Sequence, residues 1–364
     1  MSQITGKLFI DGRKLGEGGI GTFIETLVEG LLVNKEIAGI TVLASPVYFQ
    51  RNMKIIDKWK NLGVSVYRDQ TPKYSIREML FLPLRYRTLI NKHEWFISPH
   101  YTLPFFISIK TAVVIHDLIQ FQYPENLFHR FVPPFLIKNA ICRADRVLTV
   151  APHIKAQIER FYCRKNIYCV PNSGNPLDSL VPCSFGKKSN NNKLKLLFVG
   201  ADRYHKRISF FLRFLEVLRV KGVSFHGVLV SKISENTRKE IEDRKLVELV
   251  EVLSDIPRED LLNQYDNSDV FISSSIEEGF CIPLLDALGR GVSVLCADRE
   301  YSRGLAGDSA WFFVPENIDD MFEKFTELVG NEKLREEKRK AGLEISKRYL
   351  PSGQAAAFIE CLNH

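Results

Sequence analysis

The sequence predicts an α/β protein with two parallel-sheet domains. Short runs of β-branched and aromatic residues alternate with amphipathic helical stretches along the chain, and this alternation is typical of parallel strands joined by helices. A polar stretch from Ser184 to Lys195 contains almost nothing apolar, and the alternation restarts after it. The length of 364 residues suits two domains of roughly 100–200 residues each.

The predicted strands form one group before the polar stretch and another after it. The continuous apolar character of Ala112–Ile115 is typical of a strand buried on both faces. The predicted strands are Leu8–Ile10, Ile40–Ala44, Val64–Tyr67, Trp95–Ser98, Ala112–His116, Val147–Val150, Tyr168–Val170, Leu196–Val199, Phe225–Val230, Leu246–Val252, Val270–Ser273, Val292–Leu295 and Ala310–Phe313. The predicted helices include Ile20–Asn34, His153–Phe161, Ile208–Lys221, Asp260–Tyr265, Pro283–Leu288, a charged tail over Ile318–Tyr349, and Ala355–Leu362.

These patterns predict the domain boundaries. We expect a first Rossmann-like domain over residues 1–172, a linker over 173–194 and a second Rossmann-like domain over 195–349. A C-terminal helix over 350–364 is expected to pack back on the first domain. Open α/β sheets bind ligands at the carboxyl ends of their strands, so we expect ligands to bind in a cleft between the domains.

Composition and charge limit the class of protein. The formal net charge of +7 suits substrates that carry a diphosphate, or an anionic membrane surface, although it is also ordinary surface chemistry. No nucleic-acid-binding motif is present, so nucleic acid is not an expected partner. The seven cysteines show no C-x-x-C spacing, which argues against a disulfide scaffold or a zinc site. With no signal-peptide pattern and no apolar run of about 20 residues, we expect a cytoplasmic protein.

The segment from Ser275 to Gly291 predicts a ligand site. It follows the apolar run Val270–Ile272 and leads into a helix opened by Pro283, since proline suits the first helical turn. Free N–H groups and the helix dipole at such a point favour an anion such as a diphosphate. Glu278 and Asp286 are spaced to reach hydroxyl groups beside that anion.

This segment resembles a signature of the retaining, nucleotide-sugar-dependent glycosyltransferases of family four (glycosyl transferases group 1), which have the GT-B fold. Their pattern is Glu-Gly-Phe-Gly-x-Pro-x-x-Glu-Ala, followed by Gly-x-Pro-Val. The matching residues are Glu278, Gly279, Phe280, Pro283, Ala287, Gly291 and Val294. Three positions depart from the pattern: Cys281 replaces a glycine, Asp286 replaces a glutamate, and Ser293 replaces a proline. The resemblance extends from Gly19 to about Tyr349.

Three further segments are similar to the same family. The stretch Gly16–Gly21 precedes a helix, and the resemblance implies that Gly19 and Gly21 lie against the donor's phosphates. His116 and Asp117 follow a buried strand; His116 would contact the transferred sugar, although a lone histidine is more often structural. After the strand ending at Val199, the resemblance implies that Lys206 binds the diphosphate, with Arg203 and Arg207 as rivals for the arginine.

The resemblance implies retaining transfer of a hexose, with mannose favoured, to a glycan or lipid-linked glycan in surface-polysaccharide synthesis. The implied catalytic residues are His116, Asp117, Lys206 and Glu278, and the implied donor-binding residues are Gly19, Gly21, Arg203, Lys206, Arg207, Glu278, Gly279, Phe280, Cys281, Ile282 and Asp286. We expect no cofactor and no required metal, because side chains and a helix dipole neutralise the leaving diphosphate.

Other interpretations of the same sequence remain open. A nucleotide-sugar epimerase of the same fold would need no acceptor, and a non-catalytic subunit would bind the nucleotide sugar without turnover. A hydrolase built on Glu278 and Asp286 is disfavoured, because the basic loop near Lys206 would then have no task. The basic, aromatic segment Lys73–Lys92 suits peripheral contact with an anionic bilayer on the inner face of the plasma membrane, or simply a solvated surface.

Overall fold

The structure is a computed structural model that describes residues 6–34, 37–124, 127–162, 164–174 and 193–363, without the side chains of residues 127–129. The chain divides into two compact units. The first comprises Met1–Ser173 and Tyr349–His364, and the second comprises Gly174–Arg348. The predicted linker, residues 173–194, lies mostly outside the described residues.

The first unit is built on a parallel sheet of seven strands in the order β3-β2-β1-β4-β5-β6-β7. Strands β1, β4 and β5 lie at its centre and are almost entirely buried, as their apolar runs require. The strands are β1 Lys7–Asp11, β2 Gly39–Ala44, β3 Ser65–Arg68, β4 Trp95–Ser98, β5 Lys110–Ile115, β6 Arg146–Thr149 and β7 Ile167–Cys169.

Helices join these strands, as parallel pairing demands. They are α1 Gly18–Val33, α2 Pro46–Arg51, α3 Met53–Asn61, α4 Leu82–Arg85, α5 Arg87–Ile90, α6 Ile119–Gln122, α7 Leu127–Arg143 and α8 Pro152–Tyr162, with a π-helical turn over Arg77–Phe81. Local sequence explains where several begin. Helix α2, for example, starts after Ser45, whose side chain accepts a hydrogen bond from the Tyr48 N–H at 3.2 Å, and Pro46 occupies its first turn.

The second unit is built on a parallel sheet of six strands in the order β10-β9-β8-β11-β12-β13. These are β8 Leu194–Val199, β9 Phe225–Val230, β10 Val250–Leu253, β11 Val270–Ser273, β12 Ser293–Ala297 and β13 Trp311–Phe313. The helices are α9 Ile208–Val220, α10 Glu235–Asp243, α11 Arg258–Asp266, α12 Ile282–Gly289, α13 Glu300–Ala306, α14 Ile318–Gly330 and α15 Glu332–Ser346. Its core packs α9 and α14 against the sheet through residues such as Phe211, Phe214 and Phe325.

The last helix, α16 Pro351–Asn363, packs against α1 and so belongs to the first unit. The approach is close, because a Cβ added at Gly30 would lie only 2.0 Å from the Pro351 carbonyl oxygen. Inside this contact Thr26 Oγ1 donates to Gln354 Oε1 at 2.7 Å, so the buried amide oxygen has a partner. In the part of the chain that the structure describes, no helix has the length and apolarity that crossing a bilayer requires.

The predicted fold class, two Rossmann-like parallel-sheet domains, is confirmed. Several predicted boundaries differ from the structure by one or more residues, and two of these differences have a clear local cause. Strand β10 begins at Val250 rather than Leu246, because residues 246–249 form a turn in which Leu249 N–H donates to the Leu246 carbonyl. The helical tail over Ile318–Tyr349 is two helices, since Asn331 interrupts it and its side chain accepts from Leu334 N–H at 3.0 Å to begin α15.

Candidate active site

In the second unit, two loops meet at the carboxyl ends of neighbouring strands. Strands β8 and β11 pair in the sheet, so the loops that follow them start side by side. Ile276 N–H donates to the His205 carbonyl at 2.8 Å, and Ser274 Oγ donates to the Lys206 carbonyl at 3.1 Å. These bonds fix the basic loop after β8 against the acidic loop after β11. The contact occurs where parallel sheets present ligand sites.

The contact brings together Lys206 and Glu278, two residues that the sequence singled out. Lys206 Nζ lies 2.5 Å from Glu278 Oε1, and Ser275 Oγ donates to the same oxygen at 2.7 Å. Tyr301 in turn donates to the Ser275 carbonyl at 3.0 Å. The lysine and glutamate side chains are only 14% and 9% exposed. The Glu278 carboxylate is therefore fixed by charge and by hydrogen bonding in a largely desolvated site, where such bonds are strong.

Gly200 leaves space for the lysine. A Cβ built at Gly200 would lie 3.3 Å from Lys206 Cδ, which is tighter than ordinary van der Waals contact. The glycine at the end of β8 thus lets the lysine stem pass close to the backbone on its way to Glu278. The predicted basic cluster after this strand is consequently not a freely solvated turn at Lys206.

Cys281 adopts a left-handed backbone conformation. Its φ is +67° and its ψ is +65°, and its carbonyl accepts the Leu284 N–H at 3.0 Å as α12 begins. Left-handed geometry costs a non-glycine residue about 1–2 kcal/mol, which explains why a glycine suits this position in the family pattern. Burial and the nearby Glu278 carboxylate raise the pKa of the thiol to about 12, so it is protonated at neutral pH. Gly279 and Phe280 are buried in the same loop, and Ile282 is buried at the start of α12.

Asp286 lies in the interior of α12 and is only 2% exposed. Both of its carboxylate oxygens accept hydrogen bonds from Arg258, at 2.8 Å and 2.7 Å. This bidentate pair compensates a buried charge that would otherwise be costly. The resemblance implies that Asp286 holds ribose hydroxyls; in this structure the same carboxylate is already paired with an arginine. Arg258, at the start of α11, was not predicted, because nothing in the local sequence distinguishes it from an ordinary surface residue.

The two candidate arginines differ in their surroundings. Arg207 forms an ion pair with Glu316, which raises the pKa of its guanidinium, and it lies 4.9 Å from the Tyr204 ring centroid. Its φ of +56° also marks a left-handed turn before α9. Arg203 is exposed. The structure thus shows one rival already paired with a carboxylate and the other on the surface of the same loop.

In the first unit, His116 and Asp117 follow β5 directly. His116 Nε2 donates to the Pro99 carbonyl at 2.9 Å, which leaves Nδ1 as the acceptor of a neutral ring. Burial lowers the pKa of His116 to about 4, so the ring is neutral at physiological pH. Asp117 Oδ1 accepts the Ile119 N–H at 3.0 Å and thereby fixes the turn into α6. This bond orients the loop that follows β5.

The glycine-rich segment of the first unit becomes the first turn of α1. Gly19 and Gly21 both lie within that helix. A Cβ at Gly21 would lie 2.8 Å from the Lys14 carbonyl oxygen, so only glycine allows the preceding loop to fold back on the helix. An α-helix leaves its first backbone N–H groups without an intrahelical partner, so the start of α1 is a place where an anion can bind.

A buried charged cluster lies just before this loop and was not predicted. Arg13 donates to Asp11 Oδ1 at 2.7 Å and to Glu78 Oε1 at 2.9 Å, and all three side chains are at most 1% exposed. Burial alone would raise the pKa of Asp11, but Arg13 and His100 hold it well below its usual range. His100 Nδ1 lies 2.6 Å from Thr102 Oγ1, which also donates to Glu78. The sequence signal was weak, because the members are scattered from residue 11 to residue 102.

The ligand atoms of Asp11, Glu78 and His100 lie close enough together to suit a cation. The Arg13 guanidinium is hydrogen-bonded to two of these three residues, so this chain places its own cation there. Arg13 Nη1 also donates to the Thr71 carbonyl at 3.0 Å. The cluster therefore joins the loop after β1 to the loop after β3. We infer that it stabilises the glycine-rich segment that follows Arg13.

Comparison with known proteins agrees with this geometry. Residues 184–344 match the family model described as glycosyl transferases group 1. The chain contains a glycosyl transferases group 1 domain. That domain includes Lys206, Glu278, Cys281 and Asp286, and it covers most of the second unit. The predicted family resemblance is confirmed.

Relatives along most of the chain carry related names. The chain is similar to O-antigen chain mannosyltransferase RfbU of Salmonella typhimurium, with 24% identity over 328 residues, 85% of this chain and 87% of that one. It is 22% identical over 370 residues to O-antigen chain mannosyltransferase B of Escherichia coli, with 91% and 92% of the two chains covered. These similarities and the matched domain support the assignment of this chain as a glycosyltransferase.

Solved structures support the GT-B fold. WaaG, a glycosyltransferase involved in lipopolysaccharide biosynthesis, has a TM-score of 0.72 at 13% identity, with 97% of this chain and 99% of that chain covered. Anabaena Alr3699/HepE in complex with UDP-glucose has a TM-score of 0.77 at 12% identity, with coverage of 98% and 99%. At such identity these likenesses establish the fold alone.

Proposed function

We propose that the protein is a retaining mannosyltransferase that uses a nucleotide-diphosphate mannose, with GDP-mannose as the leading donor. The observation that carries the proposal is the desolvated contact of Glu278 with Lys206 and Ser275, next to the first turn of α12. A lysine and a helix N-terminus suit a diphosphate, and a fixed carboxylate suits sugar hydroxyls. The names of the two O-antigen relatives favour mannose over other hexoses.

Each residue has a distinct part in the proposed reaction. The bond between the sugar's anomeric carbon and the diphosphate oxygen breaks, and its electron pair stays on the diphosphate. Lys206 and the α12 N-terminus neutralise the charge that grows there, which is where preorganised electrostatics contribute most. Glu278 holds the sugar hydroxyls. The acceptor hydroxyl oxygen then bonds to the anomeric carbon on the face that the diphosphate leaves, so the configuration is retained, and the acceptor's hydroxyl proton passes to the departing diphosphate oxygen.

The first unit supplies the remaining groups in this proposal. His116 Nδ1 accepts a hydrogen bond from a sugar hydroxyl. Because the ring is neutral at neutral pH, His116 does not act as a general acid there. Asp117 holds the loop that carries it. Gly19 and Gly21 allow the donor's phosphates to approach the start of α1. Arg203 and Arg207 are the candidate second cation, and Arg207 must then leave or share Glu316.

The proposed acceptor is a lipid-linked glycan of O-antigen type, met by a cytoplasmic enzyme at the inner face of the plasma membrane. The names of the relatives support the glycan class. The proposal needs no metal, because cationic side chains and a helix terminus occupy the role that a divalent ion would have at the leaving group.

A panel of nucleotide sugars tests the proposal. The protein is incubated with GDP-mannose, UDP-glucose and related donors, with and without a lipid-linked acceptor, and released nucleotide and product are measured. We expect transfer from GDP-mannose only with acceptor, and a product whose anomeric configuration by NMR equals that of the donor. An altered sugar without acceptor would establish the epimerase, and nucleotide binding without turnover would establish the binding subunit. An inverted product would contradict the retaining mechanism.

A further inference from the structure

Exposed phenylalanines are concentrated in the first unit. Among the described residues, the phenylalanines that are largely exposed all lie there, whereas the large hydrophobic side chains exposed in the second unit are Tyr204 and four valines. Three of them are Phe106, at 68% exposure, and Phe131 and Phe135 on α7, at 65% and 64%. The segment around the π-helical turn adds Phe81 at 60%, Ile76 at 73% and Leu84 at 53%. Single exposed apolar residues need no explanation, but a connected set does.

Hydrogen bonds join the chain segments that carry these residues. Phe105 N–H donates to the Met79 carbonyl at 2.8 Å, which joins the connection between β4 and β5 to the π-helical turn. On the other side, Arg143 at the end of α7 donates to the Leu103 and Pro104 carbonyls, each at 2.9 Å. The Arg143 guanidinium also lies 4.5 Å from the Phe105 ring centroid. The three segments therefore adjoin one another. We call residues 76–87, 103–106 and 130–143 the aromatic-basic face.

The charge of this face has one sign. Its cations are Arg77, Arg85, Arg87, Arg130, Lys138 and Arg143, and all are exposed. Its one acidic residue is Glu78, which is fully buried and paired with Arg13. The neighbouring carboxylate of Asp69 lies 3.5 Å from Arg85 but is itself buried. The outer surface of these segments thus presents six cations and no exposed carboxylate.

An apolar groove crosses one end of the face. It has a volume of about 540 Å³ and lies between residues 70–72 and the π-helical turn with α4. Phe81, Leu82 and Leu84 supply its apolar lining, and Arg77 and Arg85 also line it. An apolar cavity edged by guanidinium groups matches the hydrocarbon and phosphate parts of an anionic lipid.

We propose that the aromatic-basic face docks the protein on an anionic lipid bilayer. Aromatic side chains on a cationic surface fit the interface between headgroups and acyl chains, where apolar insertion and attraction to anionic lipid add together. A second copy of the chain fits less well. A two-fold interface places the same patch against itself, which would bring twelve cations together with no exposed carboxylate. The proposal rests on the proposed function only in that a lipid-linked acceptor is carried by such a bilayer.

Vesicle co-sedimentation of the full-length protein tests this proposal without depending on enzymatic activity. We expect wild-type protein to bind vesicles of phosphatidylglycerol and phosphatidylcholine at least about 100-fold more tightly than vesicles of phosphatidylcholine alone. The variant Phe131→Ser/Phe135→Ser should lose about tenfold in binding, since both rings leave the interface. The variant Arg77→Gln/Arg87→Gln/Lys138→Gln should lose roughly 100-fold, at about a fivefold factor per cation.

A matched control keeps the total charge loss equal. Arg213→Gln/Lys232→Gln/Lys239→Gln removes three exposed cations from the second unit and should bind vesicles within about twofold of wild type. Melting temperatures and circular dichroism confirm that each variant is folded. Equal losses of vesicle binding in the control and in the face variants would show that only net charge matters, and would overturn the proposal. Wild-type protein that does not bind anionic vesicles would also overturn it.

Two further measurements separate the remaining outcomes. If wild-type protein is a dimer in solution and Phe131→Ser/Phe135→Ser is a monomer, the face belongs to a second copy and the bilayer proposal is wrong. Transfer to a water-soluble acceptor fragment should be unchanged in the face variants, while transfer to the same glycan on lipid in vesicles should fall with binding. Vesicle binding without any mannosyl transfer would contradict the proposed function and would still support the docking proposal.

Discussion

The two units place their charged residues differently. In the second unit, Lys206 and Glu278 meet near the surface at the carboxyl edge of the sheet, where a ligand can replace their mutual contact. In the first unit, the charged cluster around Arg13 is sealed from solvent and supports a loop. The comparison teaches that burial alone does not identify a reacting group. What distinguishes the second unit's site is a fixed carboxylate and a lysine beside the free N-terminus of a helix.

Breaking the buried cluster should give the largest change in stability. Arg13→Met removes the cation between two buried carboxylates, and we expect the free energy of unfolding to fall by about 3–5 kcal/mol. Chemical denaturation measures it. Arg51→Met, an exposed arginine in the same unit, is the control and should change stability by less than about 0.5 kcal/mol. A small loss for Arg13→Met would show that the cluster is not a support.

The depressed pKa of His116 predicts a pH dependence of stability in the first unit. Its folded pKa of about 4 lies below the ordinary value of 6.5, so the unfolded chain binds the proton first. Stability from this group is complete above pH 6.5 and is lost as the pH falls towards 4, by up to about 3 kcal/mol. The difference in stability between wild type and His116→Gln, measured from pH 7.5 to 4, should shrink by this amount. A constant difference would contradict a buried neutral ring.

A smaller effect is expected where the second unit pairs Arg258 with Asp286. Arg258→Ala leaves a carboxylate with 2% exposure unpaired, although the arginine itself is partly solvated. We expect a stability loss of about 1–2 kcal/mol and a donor KM raised roughly tenfold. The double variant Arg258→Ala/Asp286→Asn should recover part of the stability, because no buried charge remains. Additive losses in this double-mutant cycle would show that the two side chains act independently.

The smallest effect concerns the backbone at Cys281. At its left-handed φ, Cys281→Gly should be more stable than Cys281→Ala by about 1 kcal/mol. Within α12 the order should reverse, so Ala287→Gly should be less stable than wild type by about 1 kcal/mol beyond any packing loss. Thermal and chemical unfolding of the three variants provide the comparison. Equal stability of the two Cys281 variants would contradict strain at this residue.

Local sequence patterns were sufficient to predict the fold class and the two loops that carry Lys206 and Glu278. The apolar runs of β4, β9 and β11 have the bounds that the sequence predicts, because a strand buried on both faces leaves a continuous signal. Glu278 and Lys206 were predicted from the family resemblance, in loops that each follow a strand and precede a helix. Their mutual bond was not, because it joins residues 72 positions apart.

The missed features all depend on distant partners. Arg258 reads locally as an ordinary residue at a helix start, and only the folded chain places it against Asp286. Arg13 and Glu78 are separated by 65 positions, so no local pattern joins them. The Pro99 carbonyl that fixes the His116 tautomer likewise belongs to another loop. The aromatic-basic face combines three segments, of which the sequence indicated one.

The most direct test of the proposed site compares substitutions of two adjacent glutamates, Glu278 and Glu277. We expect Glu278→Gln to lower kcat/KM for mannosyl transfer from GDP-mannose by about 100- to 1000-fold, the scale of losing one well-placed electrostatic contact. Glu277→Gln, its half-buried neighbour outside the matched motif, should stay within about threefold of wild type. Equal activity of the two variants, or a larger loss at Glu277, would contradict the assignment of the sugar-binding carboxylate and with it the proposed site.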